Sequence, residues 1–206
     1  MIQSIPKLVT FDEFIDWYPE NSGHHYELHN GVIVEMPKPT GKHSEIAGFL
    51  NMEIGLLCRT SQLPYFIPKE SVVKPYGDRS GYEPDIIVLD RQAVKLEPRW
   101  AKESIITMGS SIRLIVEVVS TNWHDDYALK LDAYEAMGIP EYWIADYLGL
   151  GGKRYIGSPK LPTFSVCQLV DEEYQISRFR GDERIVSGVF PELDLTVNRV
   201  FNAGVD

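Results

Sequence analysis

Residues 113–146, RLIVEVVSTNWHDDYALKLDAYEAMGIPEYWIAD, decide the fold. Leu114–Val119 is an apolar, largely β-branched run and reads as a buried strand. From Asp125 to Met137 the apolar positions fall at helical spacing, with Tyr127, Leu131 and Tyr134 on one stripe and Asp126 and Lys130 as an i,i+4 pair. Gly138 stops this helix and Pro140 follows shortly after. Tyr142–Ala145 is a second buried strand. A strand, a helix and a strand in succession form a crossover unit, which sets two strands parallel in one sheet.

The rest of the chain is more local. On the N-terminal side, Thr10 and Glu13 have the spacing of a capping box and predict a short helix in LVTFDEFIDWYPE. His25–Leu28 and Val32–Met36 flank Asn30-Gly31 and read as a hairpin. A helix is predicted over roughly His43 to Cys58, with Ala47, Leu50, Ile54 and Leu57 on one stripe and His43 extending it to the helix N-terminus. PYFIPKESVVKP holds one or two short strands, Asp85–Leu89 is a strand entered through Pro84, and residues 90–111 read as a loop with room for a short helix. After YLGLGGK the pattern changes. RYIG, FSVCQLV, EYQISRF and RIVSG are short segments separated by Gly, Pro and charge, predicting a meandering antiparallel tail, with Gly149–Gly152 as a potential hinge. Hairpins combined with one crossover place the chain in the α/β class with a mixed sheet.

Composition narrows the function classes. With 206 residues, 44% of them hydrophobic, the chain is long enough for one domain and short for two. No apolar run approaches the roughly 20 residues that a membrane helix needs. The first residues lack the basic, apolar, small-residue order of a signal peptide. The two cysteines, Cys58 and Cys167, lie in different segments and suggest neither a zinc site nor a disulfide framework. The expectation is a cytoplasmic protein with no membrane partner. Acidic residues outnumber basic ones 30 to 20, a net charge of −10 that repels phosphate backbones at long range. This counts against a generalist nucleic-acid binder, but not against a protein whose metal ions bring positive charge to its site.

Glu117 sits within the first strand of the crossover. Alternation gives it the same face as Ile115 and Val119, so it does not escape to solvent. An ionised carboxylate buried there costs several kcal/mol, on the order of the effective desolvation penalty, unless it is paired or holds a metal. It is either a structural acid bonded to an Arg or Tyr, or a ligand. Asp85, at the start of another apolar strand, is either a turn former or the partner of Glu117 on a neighbouring strand. Two such carboxylates suit Mg²⁺ or Mn²⁺, hard ions that take oxygen ligands and keep several waters. Lys130 either neutralises developing phosphate charge or is an exposed partner of Asp126. His43 either reaches the same cleft or is a bonded core residue. Glu27, in the hairpin, is a further acid whose plain reading is a strand-face charge.

Asp85 of EPD, Glu117 of VEV and the following helix resemble the core of the PD-(D/E)XK nuclease superfamily. More narrowly, YELHNGVIVEMP, KHSEIAGFL, EPDIIVLD, LIVEVVS and DYALKLDAYEAMGIPEYWIAD resemble, over roughly residues 10–180, the Uma-type restriction endonuclease family, formerly a domain of unknown function. The resemblance implies a restriction-endonuclease-like fold, a mixed central sheet flanked by helices; chain length and patterning give a single domain over residues 1–206 with about 149–206 as a β-rich C-terminal extension. The resemblance also implies a divalent-metal site at Asp85 and Glu117, to which the leading reading adds the Val118 carbonyl as a third ligand. The superfamily's lysine stands two residues after the acid, where this chain has Val119. Lys130 in the next helix is the natural substitute.

The leading reading is therefore a Mg²⁺- or Mn²⁺-dependent endonuclease acting on DNA. Asp85 and Glu117 hold the metal, Lys130 stabilises the transition state, and His43 and Glu27 assist. The rival is a catalytically silent nuclease-fold module for binding or oligomerisation. Assembly as a homodimer is left open.

Overall fold

A computed structural model describes residues 8–19 and 23–205 of the chain. Residues 1–7 of the N-terminal stretch read for a signal peptide lie outside the described residues. Thr10 caps the first helix, α1 (Phe11–Trp17), through the reciprocal bonds with Glu13 that the spacing predicts. The hairpin pairs β1 (His25–His29) with β2 (Val32–Met36). Its turn residues Asn30 and Gly31 have φ of 52° and 86°, the left-handed pair that a tight two-residue turn requires.

The central sheet has six strands. They are β3 (Tyr65–Phe66), β5 (Ile86–Asp90), β7 (Ile112–Val118), β8 (Glu141–Asp146), β9 (Thr163–Val170) and β10 (Glu173–Phe179), in the order β10–β9–β8–β7–β5–β3. Only β7 and β8 run parallel within it, as the crossover requires, and every other neighbouring pair is antiparallel. Two short strands, β4 (Val72–Val73) and β6 (Ile105–Ile106), form a separate parallel pair.

Alternation along β7 sorts its side chains into two cores. Leu114, Val116 and Val118 pack with Ile46, Leu50 and Ile54 of α2 (Gly41–Thr60). Ile115 and Val119 pack with Tyr127 and Tyr134 of the crossover. Helices thus cover both faces of the sheet. The buried stripe of α2 is His43, Ile46, Phe49, Leu50, Ile54 and Cys58, rotated from the one predicted, while Ala47 and Leu57 lie at its flank, partly buried.

Four sequence expectations are corrected. The strand predicted over Asp85–Leu89 is Ile86–Asp90, leaving Asp85 just ahead of it. The helix predicted from Asp125 begins as a π-turn, Asp125–Leu129, before the α-helical Lys130–Ala136. The region read as a loop, residues 90–111, also contains a short helix α3 (Trp100–Glu103) and β6. In the tail, Arg154 to Ile156 lie in a helical turn, α5 (Lys153–Ile156), and RIVSG contributes a single bridge between Arg184 and Thr196 rather than a strand. The last helix, α6 (Val197–Phe201), was not anticipated, and α4 is the Lys130–Ala136 segment.

β9 is hydrogen-bonded along all six residues of β8, so the tail is continuous with the main sheet. Nor is Gly149–Gly152 built as a hinge. Asp146 accepts hydrogen bonds from the Leu150 and Gly151 amides, at 2.9 and 2.8 Å, and a Cβ at Gly151 would stand 2.8 Å from the Tyr127 ring. Among the described residues no helix is long and apolar enough to cross a membrane.

Candidate active site

The site lies at the end of the sheet where β7 runs out toward the crossover helix. The antiparallel register pairs Ile86 with Val116. Continued by one residue, it sets Asp85 opposite Glu117. Cβ atoms of directly opposed residues stand about 4.5–5.5 Å apart. Asp85 also shares parity with Ile87 and Leu89, which pack on the same face as Ile115 and Val119. The pairing is fixed by a bond from the Val118 amide, which donates to Asp85 Oδ2 at 2.8 Å. His43, from the first turn of α2, places Nε2 3.4 Å from the same oxygen and faces the Val118 carbonyl. Burial alone would lower the pKa of His43. The adjacent Asp85 carboxylate outweighs it and raises the pKa above the usual histidine range.

Behind this pair is a buried ionic cluster. Lys130, with 2% of its side chain exposed, has Nζ 3.0 Å from Glu117 Oε1, 3.0 Å from Glu27 Oε1 and 3.7 Å from Asp126 Oδ1. Asp126 and Lys130, four residues apart, share the inward face of the segment that begins with the π-turn, and the Tyr142 hydroxyl donates to the Asp126 carbonyl at 3.0 Å. Such π insertions occur frequently at functional sites. The plain reading of Lys130 as a surface partner of Asp126 is thereby corrected. So is that of Glu27, which is wholly buried. Its Oε1 accepts the Glu83 amide at 3.0 Å and its Oε2 accepts from His29 Nε2 at 2.7 Å.

The cluster holds more acid than base, and its protons are shared accordingly. Burial pushes Glu27 up, but Lys130 and His29 pull it below the ordinary carboxylate range. Burial pushes Glu117 well above that range, and the Asp85, Asp126 and Glu27 charges add to it against the pull of Lys130. Asp126, buried and facing the same acids, is pushed up to about 7. For Lys130 burial favours the neutral amine, yet the surrounding carboxylates outweigh it and raise its pKa well above normal. The carboxylates thus differ: Lys130 and His29 favour the ionised form of Glu27, while burial favours the protonated forms of Glu117 and Asp126.

Tyr134, whose hydroxyl donates to Glu117 Oε1 at 3.3 Å, and Asp126 were visible in the sequence only as stripe and spacing residues. The one signal for them was a lysine placed between two aromatic positions of an otherwise apolar helix face.

All of this opens into a cleft of about 470 Å³, lined by Asp85, Glu117, Val118, His43, Asp126 and Lys130 among others. Glu27 lies beneath it, reaching the site through Lys130. Both hydrogen bonds given to Glu117 fall on Oε1, so Oε2 is not engaged by them.

The fold, a mixed sheet with helices on both faces, is similar to that of a solved structure from Anabaena variabilis ATCC 29413. That protein is described as "a putative nuclease belonging to DUF820". The TM-score is 0.71 at 20% identity, over 96% of this chain and 99% of that one. The family model Uma2, described as "Putative restriction endonuclease", matches residues 11–198, and the chain belongs to that family. No curated protein matches it.

Proposed function

We propose that the protein is a divalent-metal-dependent endonuclease that hydrolyses phosphodiester bonds in DNA. The observation that carries this is the opposition of Asp85 and Glu117 at one cleft, with the Lys130 ammonium on Glu117. The donor set fits Mg²⁺ or Mn²⁺. Among the described residues no three His, Cys, Asp or Glu side chains form a closed ligand cage. A small hard ion does not need one, because it keeps several waters and uses one or two carboxylates. Asp85, Glu117 and the Val118 carbonyl are oxygen donors of that kind. The ion supplies a polarised phosphoryl oxygen and an activated water.

The chain's own residues do the rest. His43 and the Val118 amide fix the Asp85 carboxylate. Tyr134 and Lys130 hold one oxygen of Glu117 and leave the other for coordination. Glu27, kept ionised, anchors Lys130 so that its charge stands at the edge of the cleft, where it offsets charge developing on a phosphate. Coordination would require the ionised form of Glu117, so metal binding is expected to strengthen as pH rises.

A silent module is the second reading, favoured by the close engagement of Lys130 with its neighbours. Incubation of labelled DNA with Mg²⁺, Mn²⁺ or EDTA separates the two. Products that require metal and vanish in Asp85→Asn are expected, together with a Mg²⁺-dependent rise in Tm. No product from any DNA under any metal would remove the endonuclease reading.

A further inference from the structure

Resting on the nuclease reading, we infer that the strand entering this cleft is single-stranded DNA, and that duplex is excluded by shape and charge. The reacting groups are recessed: Glu117 is 4% exposed and Lys130 2%. Above them the rim is drawn together. Thr40 Oγ1, at the entry to α2, and the Tyr147 hydroxyl, just after β8, meet at 3.3 Å across 107 residues of sequence. A cleft of about 470 Å³ lies in the range of about 300–1,000 Å³ typical of small-molecule sites. It has room for a nucleotide-sized segment, while the second strand of a duplex would have to ride over the rim.

The rim gives a duplex little to hold. Its cations at the mouth are Lys38 and Lys69, and Lys69 already lies 2.7 Å from Glu70. The chain as a whole carries −10. Proteins that grip duplex DNA neutralise about 6–10 phosphates. Two lysines match a short stretch of one strand. The remaining rim is suited to bases rather than backbone. Tyr147, Leu148 and Pro39 line it, and Leu148 is 57% exposed. Unpaired bases present faces that stack on such surfaces, whereas the bases of a duplex are already stacked.

Fluorescence anisotropy on the full chain tests this, using one labelled oligonucleotide alone and annealed to its complement, in Ca²⁺. The single strand is expected to bind at least tenfold more tightly. With two phosphate contacts its log K against log[salt] has a slope near −1.4, from about −0.7 per contact, rather than the value near −5 of a six-contact duplex. Lys38→Glu should weaken binding about tenfold and flatten the slope further. Tyr147→Ala should weaken it by about tenfold, while Tyr147→Phe, which keeps the ring and loses the bond to Thr40, should bind as wild type does. Duplex binding as tight as the single strand, or a slope near −5, overturns the inference. So does equal loss in Tyr147→Phe and Tyr147→Ala. If duplex alone is cut in metal, this inference fails and the nuclease reading stands. If nothing is bound or cut, the nuclease reading fails with it.

Discussion

Two adjacent strands of the sheet each carry a fully or nearly fully buried glutamate, Glu117 on β7 and Glu141 on β8, and the two are put to opposite uses. Glu141 is saturated. Its Oε1 accepts from Trp143 Nε1 at 2.6 Å and Ser187 Oγ at 2.5 Å, and its Oε2 accepts from the Gly188 and Val189 amides at 2.7 and 3.2 Å. Four donors compensate its burial and tie the C-terminal segment to the sheet. Glu117 has two partners on one oxygen, sits among other acids, and lines a cleft. Burial of an acid therefore does not by itself mark a site. What marks it is burial with unfilled acceptor capacity, excess like charge and an opening to solvent.

The largest effect should come from removing the cation that lets the acids coexist. Lys130→Ala leaves Glu27 buried without its ammonium, with only His29 and the Glu83 amide as partners. Breaking such a pair typically destabilises by about 3–5 kcal/mol, to be read from urea denaturation. Among the molecules that still fold, cleavage should fall about 100-fold or more, the usual consequence of removing one electrostatic donor to a transition state. Cleavage at the wild-type rate would remove Lys130 from the chemistry. Unchanged stability would contradict the ion pair itself.

Glu141→Gln is next. The amide keeps one acceptor oxygen and turns an NH₂ toward donors that need an acceptor. Two stranded amides at about 1–3 kcal/mol each predict a loss near 3 kcal/mol in the same denaturation. Activity of the folded fraction should be retained, since Glu141 is absent from the cleft. A stability loss under 1 kcal/mol would show that the C-terminal segment is held by its apolar contacts alone.

Asp126 tests the acid side of the comparison through pH. Its folded pKa is raised, to about 7, so the native state keeps a proton that the unfolded chain has released. Stability from this group is therefore lost as pH rises from about 4 through 7. The slope approaches about 1.4 kcal/mol per pH unit for one proton. Asp126→Asn should flatten stability over that window, relative to wild type, in melts at pH 5, 6 and 7. An unchanged slope would show that Asp126 is ionised throughout.

The legible and illegible parts of this molecule divide along the same lines. The crossover was readable because β7, α4 and β8 carry long, regular patterns, and the opposition of Asp85 and Glu117 was readable because Asp85 immediately precedes one apolar strand and Glu117 sits within another. Glu27 was not. It and Leu28 are consecutive and both wholly buried, a breach of alternation that arises because the hairpin lies over the site and is covered from both sides. The inward turn of Lys130 was half legible: its place between Tyr127 and Tyr134 puts it on the buried stripe, while its i,i+4 spacing from Asp126 reads equally as a surface pair. The helices α5 and α6 are four and five residues long, too short for a period to show. The binding of Ser187 and Gly188 by Glu141 is a tertiary event with no local signature.

The smallest effect, and the sharpest contrast with Glu141, is expected of Glu117→Gln. Burial and its acidic neighbours raise the Glu117 pKa well above the ordinary range, which favours the protonated acid in the native state. A glutamine is then close to isosteric and isoelectric with it. Its carbonyl oxygen still accepts from Lys130 and Tyr134, so stability should differ from wild type by less than about 1 kcal/mol. As pH rises toward 8 the wild-type protein is drawn toward ionising a buried acid, and the unfolded chain has already done so. The raised folded pKa thus removes stability with increasing pH, and the variant, which has no proton to lose, escapes that loss. Glu117→Gln should equal wild type at pH 5 and match or exceed it at pH 8, with no Mg²⁺-dependent rise in Tm at either. A variant less stable at pH 8 than at pH 5, relative to wild type, would mean that Glu117 is an ionised structural partner of Lys130. Its burial would then be explained as that of Glu141 is, by partners within the chain, and the metal would lose its principal ligand.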